Sequence, residues 1–296
     1  MRVFVTGATG FIGSAIVAEL LRNGHRVLGL TRSDSGAQAL LAAGAEAHRG
    51  NLDDPDSLRR GAALADGVIH CAFDHDFSNF EANCAKDSRA IAALGAALGG
   101  TDRPLVITSG VGMGGTGHGQ LATEDVFDAA HPNPRTASER AAATLAADGV
   151  NVSVVRLPQV HDTAKHGLVT YVIAAAREKG ASAYVGDGLN RYAAAHVLDV
   201  ARLYRLALEK SEPGARYHAV AEEGVAFRDI AEVIARGLKL PLVSLFAEKS
   251  AAHFGWLGMF AGMDLAASSA QTRARLGWTP AGPGLLQDLE GHFGLR

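Results

Sequence analysis

Short apolar runs alternate with amphipathic stretches along the first half of the chain. Runs rich in Val, Ile and Leu predict strands, and apolar residues spaced three and four positions apart predict helices. The predicted strands are residues 3–6, 26–31, 68–72, 105–108 and 152–156, and the predicted helices are residues 11–22, 38–43, 58–64, 80–98 and 138–147. Regular alternation of this kind predicts an α/β fold with a doubly wound parallel sheet and helices on both faces.

After Pro158 the alternation becomes less regular. The remaining pattern predicts helices at residues 169–178, 198–208 and 227–236, and short strands at residues 184–185 and 217–220. These elements suggest a smaller C-terminal substrate-binding cap. The predicted boundaries are a first domain over residues 1–158 and a cap mainly over residues 159–296, with a segment near 186–220 that returns to the first domain.

A glycine motif, Gly7-Ala8-Thr9-Gly10-Phe11-Ile12-Gly13, lies between the first predicted strand and the first predicted helix. In that context, Gly7 permits a tight turn, Gly10 lets the backbone approach a pyrophosphate, and Gly13 lets helix and strand pack closely. The helix N-terminus supplies free N–H groups for phosphates. The motif indicates a Rossmann dinucleotide-binding domain, and Thr9, Phe11 and Ile12 are further candidate contacts. The alternative is a glycine-rich turn without a ligand.

The spacing G-x-x-G-x-x-G resembles the start of the extended or atypical short-chain dehydrogenases/reductases, the NAD(P)-dependent epimerase/dehydratase-like family. Later landmarks follow in the family's order, including Val155-Arg156-Leu157-Pro158, Gly186-Asp187-Gly188 and Leu276-Gly277-Trp278-Thr279-Pro280. The resemblance implies that Asn51 and Leu52 lie near the adenine, and that Cys71, Ala72 and Phe73 lie along the ribose. It also implies cofactor contacts at Thr108 and Pro158.

The end of the second predicted strand bears on the choice between NAD and NADP. An acidic residue there binds the ribose 2′-OH of NAD, whereas an Arg accommodates the 2′-phosphate of NADP. The chain reads Thr31-Arg32-Ser33, with no carboxylate before Asp34. Arg32 and Ser33 therefore favour NADP(H) over NAD(H), and the alternative is that Arg32 is a solvated surface residue.

The family's usual Tyr and Lys, four residues apart on a helix, are replaced here. By the resemblance, Arg135 takes the Tyr position and Glu139 the Lys position, and the family's Ser falls at Ser109 or Gly110. A guanidinium does not release a proton near neutral pH. Arg135 is therefore predicted to stabilise an oxyanion or to clamp the cofactor or substrate. Glu139 could pair with Arg135 across one helical turn.

Other side chains are candidates for proton transfer or substrate contact. His75 lies between Asp74 and Asp76, which would raise its pKa and suit a general acid. Asp74, His166 and Tyr192 are candidate substrate contacts, and each has a structural alternative. The glycine-rich loop over residues 110–119 is expected to be a mobile segment.

Composition narrows the range of partners. The 296 residues carry a formal net charge of −3, which gives no electrostatic case for nucleic acid or an anionic membrane surface. The two cysteines do not suggest a disulfide framework, and no residue set has metal-ligand spacing. No apolar run is long enough for a signal peptide or a membrane helix, so a cytoplasmic protein is expected. The family resemblance also implies a homodimer through the helices at residues 80–98 and 138–147, both of which are Ala-rich.

Three functions remain open at this point. The first is an NADP(H)-dependent oxidoreductase acting on a small carbonyl-type substrate. The second is a redox-sensing protein that binds dinucleotide without turnover, which the replaced Tyr and Lys favour. The third is an isomerase, epimerase or lyase that retains the cofactor. The substantial C-terminal half and the His-bearing loops favour an enzyme.

Overall fold

The computed structural model describes residues 1–115, 117 and 119–295. Numbered along the chain, its strands are β1 (Arg2–Thr6), β2 (Arg26–Thr31), β3 (Glu46–Arg49), β4 (Gly67–His70), β5 (Leu105–Gly110), β6 (Val152–Leu157), β7 (Gln159–His161), β8 (Ser182–Val185), β9 (Arg191–His196), β10 (Arg216–His218), β11 (Glu222–Ala226) and β12 (Leu242–Leu245). Its helices are α1 (Phe11–Arg22), α2 (Asp34–Ala42), α3 (Pro55–Ala63), α4 (Phe80–Ala96), α5 (Thr136–Ala147), α6 (Val169–Lys179), α7 (Val197–Lys210), α8 (Phe227–Leu238), α9 (Ser250–Phe254), α10 (Gly258–Ala261), α11 (Ala270–Leu276) and α12 (Leu285–Phe293).

The main sheet has seven strands in the order β10-β6-β5-β4-β1-β2-β3, and every neighbouring pair runs parallel. This confirms the predicted doubly wound sheet. The strand order reverses direction between β1 and β4, and ligands of open α/β sheets bind outside the carboxyl ends of the strands at such a reversal. The loops after β1, β4 and β5 all open onto that edge.

Alternating side chains of β1 fill the two cores that flank the sheet. Val3 and Val5 pack into the cluster that contains residues of α1 and α7, while Phe4 packs into the cluster that contains Leu58 of α3 and Ile91 of α4. All five are fully buried. Burying a large aliphatic or aromatic side chain stabilises the fold by roughly 1.5–3 kcal/mol. Because β1 is buried on both faces, the glycine motif that follows it is held in a fixed position.

The C-terminal residues form a third core beside the main sheet. A three-stranded sheet (β11-β9-β7) and a two-stranded sheet (β12-β8) share it with α6, α8 and α12. The chain also returns to the main sheet, because β10 pairs with β6 and α7 packs on α1. The domain boundaries given above stay a prediction.

Local signals explain where several helices begin. Ser33 accepts a hydrogen bond from Gly36 N and so starts α2, four residues before the predicted start. Asp54 accepts bonds from Asp56 N and Ser57 N and starts α3 with a Pro at its first position. In the glycine-rich loop, residues Val111–Gly114 form a short 3-10 helix, whereas Thr116 and His118 lie outside the described residues. Within the described ranges, every helix is too short or too polar to cross a bilayer.

Candidate active site

The glycine motif forms a tight turn against the end of β4. Gly7 adopts a φ of +68°, and a Cβ atom there would come within 2.8 Å of Ala72 N. A Cβ atom on Gly13 would come within 1.9 Å of Gly7 O. The backbone can therefore hold this shape only without side chains at these two positions. The turn provides the close approach that a bound pyrophosphate requires.

The N-terminus of α1 is open for an anion. Gly10 precedes the helix and no side chain caps its first turn, so backbone N–H groups of the first turn remain available. Thr9 is exposed beside this end, and Phe11 and Ile12 are half-buried. Free N–H groups at the positive end of a twelve-residue helix suit a phosphate. The residues present at this turn fit a dinucleotide.

The end of β2 carries one cationic side chain that has no ion-pair partner among the described residues. Arg32 is exposed and makes no ion pair within the described ranges. The nearest carboxylate along the chain, Asp34, is held by Arg49. The Ser33 hydroxyl caps α2, and it also lies 3.1 Å from the Ser35 hydroxyl. Arg32 is thus the side chain of this turn that is free to meet a phosphate.

Asn51 and Leu52 are half-buried after β3. The Asn51 side chain accepts a hydrogen bond from Asp53 N at 2.7 Å, and Leu52 packs against the core cluster that contains Phe4. The turn that follows β3 is therefore held in place from both sides.

The loop after β4 is tied to the end of β1. The Cys71 thiol donates to Thr6 O at 3.0 Å, and Ala72 N donates to Thr6 Oγ1 at 3.2 Å. Burial raises the pKa of the Cys71 thiol to about 12, so this sulfur stays a thiol at neutral pH. Phe73 follows and lies over the Arg135 guanidinium, with 4.2 Å between Arg135 Cζ and the ring centroid.

A buried polar network connects this loop to α5. Thr6 Oγ1 lies 2.7 Å from His70 Nδ1, and His70 Nε2 lies 3.0 Å from Asp87 Oδ1. The other carboxylate oxygen, Asp87 Oδ2, accepts hydrogen bonds from Arg135 Nη1 at 2.6 Å and from Ser138 Oγ at 2.5 Å. An ionised carboxylate only accepts hydrogen bonds, so His70 donates to Asp87 from Nε2.

Asp87 is the centre of this network and is 1% exposed. Burial opposes ionisation, but the Arg135 charge and the His70 hydrogen bond hold the pKa of Asp87 below its usual range. Asp87 was not predicted as a site residue from the sequence. The available signal was its position on α4, because Cys84, Asp87, Ile91 and Leu94 share the buried face of that helix. A charged residue in such a row needs a buried partner.

Arg135 lies at the carboxyl edge of the sheet. Its Nη2 donates to Thr108 O at 2.9 Å, and Thr108 Oγ1 lies 2.6 Å from the buried Tyr204 hydroxyl. The Arg135 side chain keeps 14% of its surface exposed. A fixed, partly exposed guanidinium at this edge can bind an oxyanion or a phosphate.

The expected pairing of Arg135 with Glu139 was wrong. Glu139 accepts hydrogen bonds from Arg156 at 2.8 Å and from Arg216 Nε at 3.0 Å, and its side chain is fully buried. Burial opposes ionisation of Glu139, yet Arg156 holds its pKa below the usual value. Ser109, near the end of β5, is buried. Both arginines belong to the last strands of the main sheet, so the true partners of Glu139 come from distant positions in the sequence.

The expected rise in the pKa of His75 was also wrong. His75 is exposed on the loop after β4, but local desolvation and the Arg135 charge lower its pKa. Asp74 is engaged elsewhere, because its carboxylate accepts from Lys86 Nζ at 3.0 Å. His75 is therefore a neutral imidazole at pH 7.

His166 and Tyr192 are both buried. The His166 ring lies 5.0 Å from the His292 ring, and burial lowers its pKa to about 4. The Tyr192 hydroxyl donates to Phe260 O at 2.8 Å. Pro158 is half-buried at the end of β6. Among the described residues, no group of three His, Cys, Asp or Glu side chains could hold a metal ion.

The model of the NAD dependent epimerase/dehydratase family matches residues 3–221, which include the glycine motif and the loops described above. The chain belongs to this family. The uncharacterized protein C2A9.02 of Schizosaccharomyces pombe is 46% identical to this chain over 98% of both chains. The uncharacterized protein YLL056C of Saccharomyces cerevisiae is 40% identical over the full length of both.

Some less similar relatives have named activities. A 2-alkyl-3-oxoalkanoate reductase of Stenotrophomonas maltophilia is 29% identical over 73% of this chain and 67% of that protein. Among solved structures, a dTDP-glucose 4,6-dehydratase of Streptomyces venezuelae with NAD and TYD bound has a TM-score of 0.77 at 19% identity, covering 99% of this chain and 97% of that one. That structural likeness supports the fold.

Proposed function

We propose that this chain is an NADP(H)-dependent oxidoreductase that acts on a small carbonyl-type substrate. The observation that carries the proposal is the placement of Arg135. Its guanidinium is fixed by Asp87, Ser138 and Thr108 O at the carboxyl edge of the sheet and remains partly exposed there. A fixed cation at that place suits the oxygen of a carbonyl group that gains negative charge during reduction. The named reductase among the relatives supports the same class of reaction.

The proposed preference for NADP(H) rests on the end of β2. Arg32 is exposed and unpaired in the described part of the chain, whereas Asp34 pairs with Arg49 on the surface. A guanidinium binds a phosphate through charge-assisted hydrogen bonds. An acidic residue free to bind a ribose 2′-OH is absent from the stretch between Thr31 and Ser33.

We propose the following roles at the site. Gly7, Gly10 and Gly13 hold the dinucleotide at the start of α1, and the bound nicotinamide supplies or accepts the hydride. Arg135 orients the substrate oxygen and stabilises its negative charge. The neutral imidazole of His75 accepts the proton of an alcohol when the substrate is oxidised, and when a carbonyl is reduced the oxygen takes its proton from a water molecule that His75 holds by a hydrogen bond.

The first experiment measures cofactor binding. The purified protein is titrated with NADPH and NADH by calorimetry, beside Arg32→Ala and the control Arg22→Ala at the far end of α1. We expect NADPH to bind about tenfold or more tightly than NADH, because a hydrogen bond to a charged group contributes roughly 1.5–3 kcal/mol. Arg32→Ala removes this difference and the control keeps it. Equal binding of both cofactors by the unmodified protein would refute the NADP preference.

The second experiment measures turnover. NADPH oxidation is followed with a panel of aldehydes and ketones, in the unmodified protein and in Arg135→Lys. This substitution keeps the positive charge but removes the planar guanidinium group. We expect kcat/KM to fall at least tenfold in Arg135→Lys, and His75→Ala to lower kcat. Tight NADPH binding without turnover of any carbonyl compound would contradict the oxidoreductase and favour the redox sensor.

A homodimer also remains a proposal. The outward faces of α4 and α5 carry small exposed residues, including Ala85, Ala92 and Ala143, which permit close helix packing. Light scattering on the purified protein distinguishes a dimer from a monomer of 30.7 kDa.

A further inference from the structure

Six aromatic side chains form one continuous group beside Arg135. This aromatic band consists of Phe73, Phe77, Phe80, Tyr171, Trp256 and Phe260. The whole chain has 18 Phe, Trp and Tyr residues, so a third of them gather here. Three come from the segment between β4 and the start of α4, and three come from the C-terminal part of the chain. The band thus joins the sheet edge to the C-terminal elements across the candidate site.

Ring contacts run through the band without interruption. Phe73 lies 6.2 Å from Phe80, which lies 5.8 Å from Phe77. Phe77 stacks on Trp256 at 4.3 Å with an angle of 13° between the rings. Trp256 also contacts Tyr171 at 5.1 Å, edge to face. These are the separations and orientations at which aromatic rings attract one another.

The outer rings of the band remain accessible. Trp256 and Tyr171 keep 42% and 40% of their surface exposed. Met259 and Met263, which flank Phe260 in the chain, are exposed by 70% and 37%. Exposed aromatic and thioether groups gathered at one place typically mark a surface that binds an apolar partner or ligand. The inner end of the band lies against Arg135, where the carbonyl oxygen is proposed to bind.

Two cations are paired with carboxylates: Lys86 on α4, the helix that carries Phe80, and Arg191, whose partner Asp264 follows Met263. Lys86 contacts Asp74 at 3.0 Å and Asp53 at 3.3 Å. Arg191 is held by both carboxylate oxygens of Asp264, at 3.1 and 2.7 Å. Within the described residues, the cation that stacks on a ring of the band is Arg135. The band therefore offers a substrate mainly apolar rings, with Arg135 as the cation in contact with them.

From this arrangement we infer that the substrate is an uncharged carbonyl compound with a flat apolar body, such as an aromatic ring, and not a nucleotide sugar. The inference rests on the proposed function, because it assigns the carbonyl oxygen to Arg135. The flat body packs on Tyr171 and Trp256. These rings lose little conformational entropy on binding, since each has only two side-chain torsions.

The test compares substrates that share a carbonyl group and differ in the body attached to it. KM is measured for phenylacetaldehyde, cyclohexylacetaldehyde and acetaldehyde, in the unmodified protein and in Tyr171→Leu, Trp256→Leu and the control Phe246→Ala. Phe246 is 76% exposed and lies outside the band. We expect the KM of phenylacetaldehyde to lie about tenfold or more below that of acetaldehyde and at least about threefold below that of cyclohexylacetaldehyde. Both leucine variants remove the advantage of the aromatic ring, and the control keeps it.

A binding measurement makes the test independent of turnover. 2-Phenylethanol is titrated into the protein while tryptophan fluorescence is followed. The variant Trp256→Phe keeps only the buried Trp278, so it measures the part of the signal that comes from that residue. We expect a saturable change that Trp256→Phe abolishes. UDP-glucose gives no such change.

The outcomes separate this inference from the proposed function. Reduction of acetaldehyde without any preference for ring-bearing substrates would overturn the inference and leave the oxidoreductase in place. Binding of 2-phenylethanol at Trp256 without reduction of any aldehyde would support the apolar site and refute the oxidoreductase. A uniform loss of activity on all three aldehydes in both leucine variants would show that the band only holds the two parts of the chain together, and would overturn the inference.

Discussion

Replacing Asp87 with Asn removes the charge at the centre of the buried network and keeps the shape of the side chain. Asp87 is 1% exposed and accepts hydrogen bonds from His70, Arg135 and Ser138. Breaking a buried charge pair by neutralising one partner costs about 3–5 kcal/mol, because the other charge stays buried without compensation. The Arg135 side chain retains 14% exposure. We therefore expect the lower end, a loss of about 3 kcal/mol in the free energy of unfolding.

The assay is urea unfolding at pH 7, followed by circular dichroism and by fluorescence to check that both probes report one transition. Asp56→Asn is the matched control, since Asp56 pairs with Arg59 on the surface of α3 and its side chain is 73% exposed. We expect no measurable change from the control. The double variant Asp87→Asn with Arg135→Met should lose less stability than the sum of the single variants, because it removes both charges together.

The same variant changes how stability depends on pH. Burial opposes ionisation of Asp87, but Arg135 and His70 lower its pKa in the folded protein. The unfolded carboxyl has a pKa of about 3.9. Its stabilising contribution is complete above that pH and is lost as the pH falls toward the folded pKa. The stability of the unmodified protein should therefore fall more steeply below about pH 4 than that of Asp87→Asn. Parallel curves, or a loss below about 1 kcal/mol at pH 7, would refute this account of the network.

Three further predictions concern other parts of the site. Gly13→Ala should lower the free energy of unfolding by about 1–3 kcal/mol and abolish calorimetric NADPH binding, because the new Cβ atom would lie 1.9 Å from Gly7 O; intact binding would contradict this. Glu139→Gln should lose about 3 kcal/mol in urea unfolding, since Arg156 is fully buried beside it, and a neutral effect would mean that the pair is dispensable. Cys71 should react with iodoacetamide at pH 8 roughly a thousandfold more slowly in the folded than in the unfolded protein, because its pKa is raised to about 12.

Periodicity identified the elements that have a strong pattern of their own. The helix over α1 and the strand over β2 were predicted with the observed limits, because their apolar positions repeat with the helical and strand periods. Strand β3 (Glu46–Arg49) was missed, since its four residues are mostly polar and it forms by pairing with β2 at the edge of the sheet. Pairing with an existing strand replaces the missing apolar pattern.

The residues of the candidate site likewise fall into two groups, those that the sequence predicted and those that only the structure identified. The glycine motif requires only local backbone geometry, so it could be predicted from seven consecutive residues. The partners of Arg135 and Glu139 could not be predicted from the sequence. Asp87 is 48 positions away from Arg135, and Arg156 is 17 positions away from Glu139. The pKa of His75 is likewise lowered by desolvation and by the Arg135 charge, whereas the neighbouring carboxylates in the sequence suggested the opposite.

The sequence by itself determined the doubly wound sheet, the dinucleotide-type turn and the family, because each depends on short-range periodicity or on a local backbone requirement. Only the tertiary structure decided which buried charges pair, which cations remain free and which rings meet beside Arg135. Those properties depend on distances between side chains from separate elements. Desolvation and charge pairing act through such distances, whatever the separation along the chain.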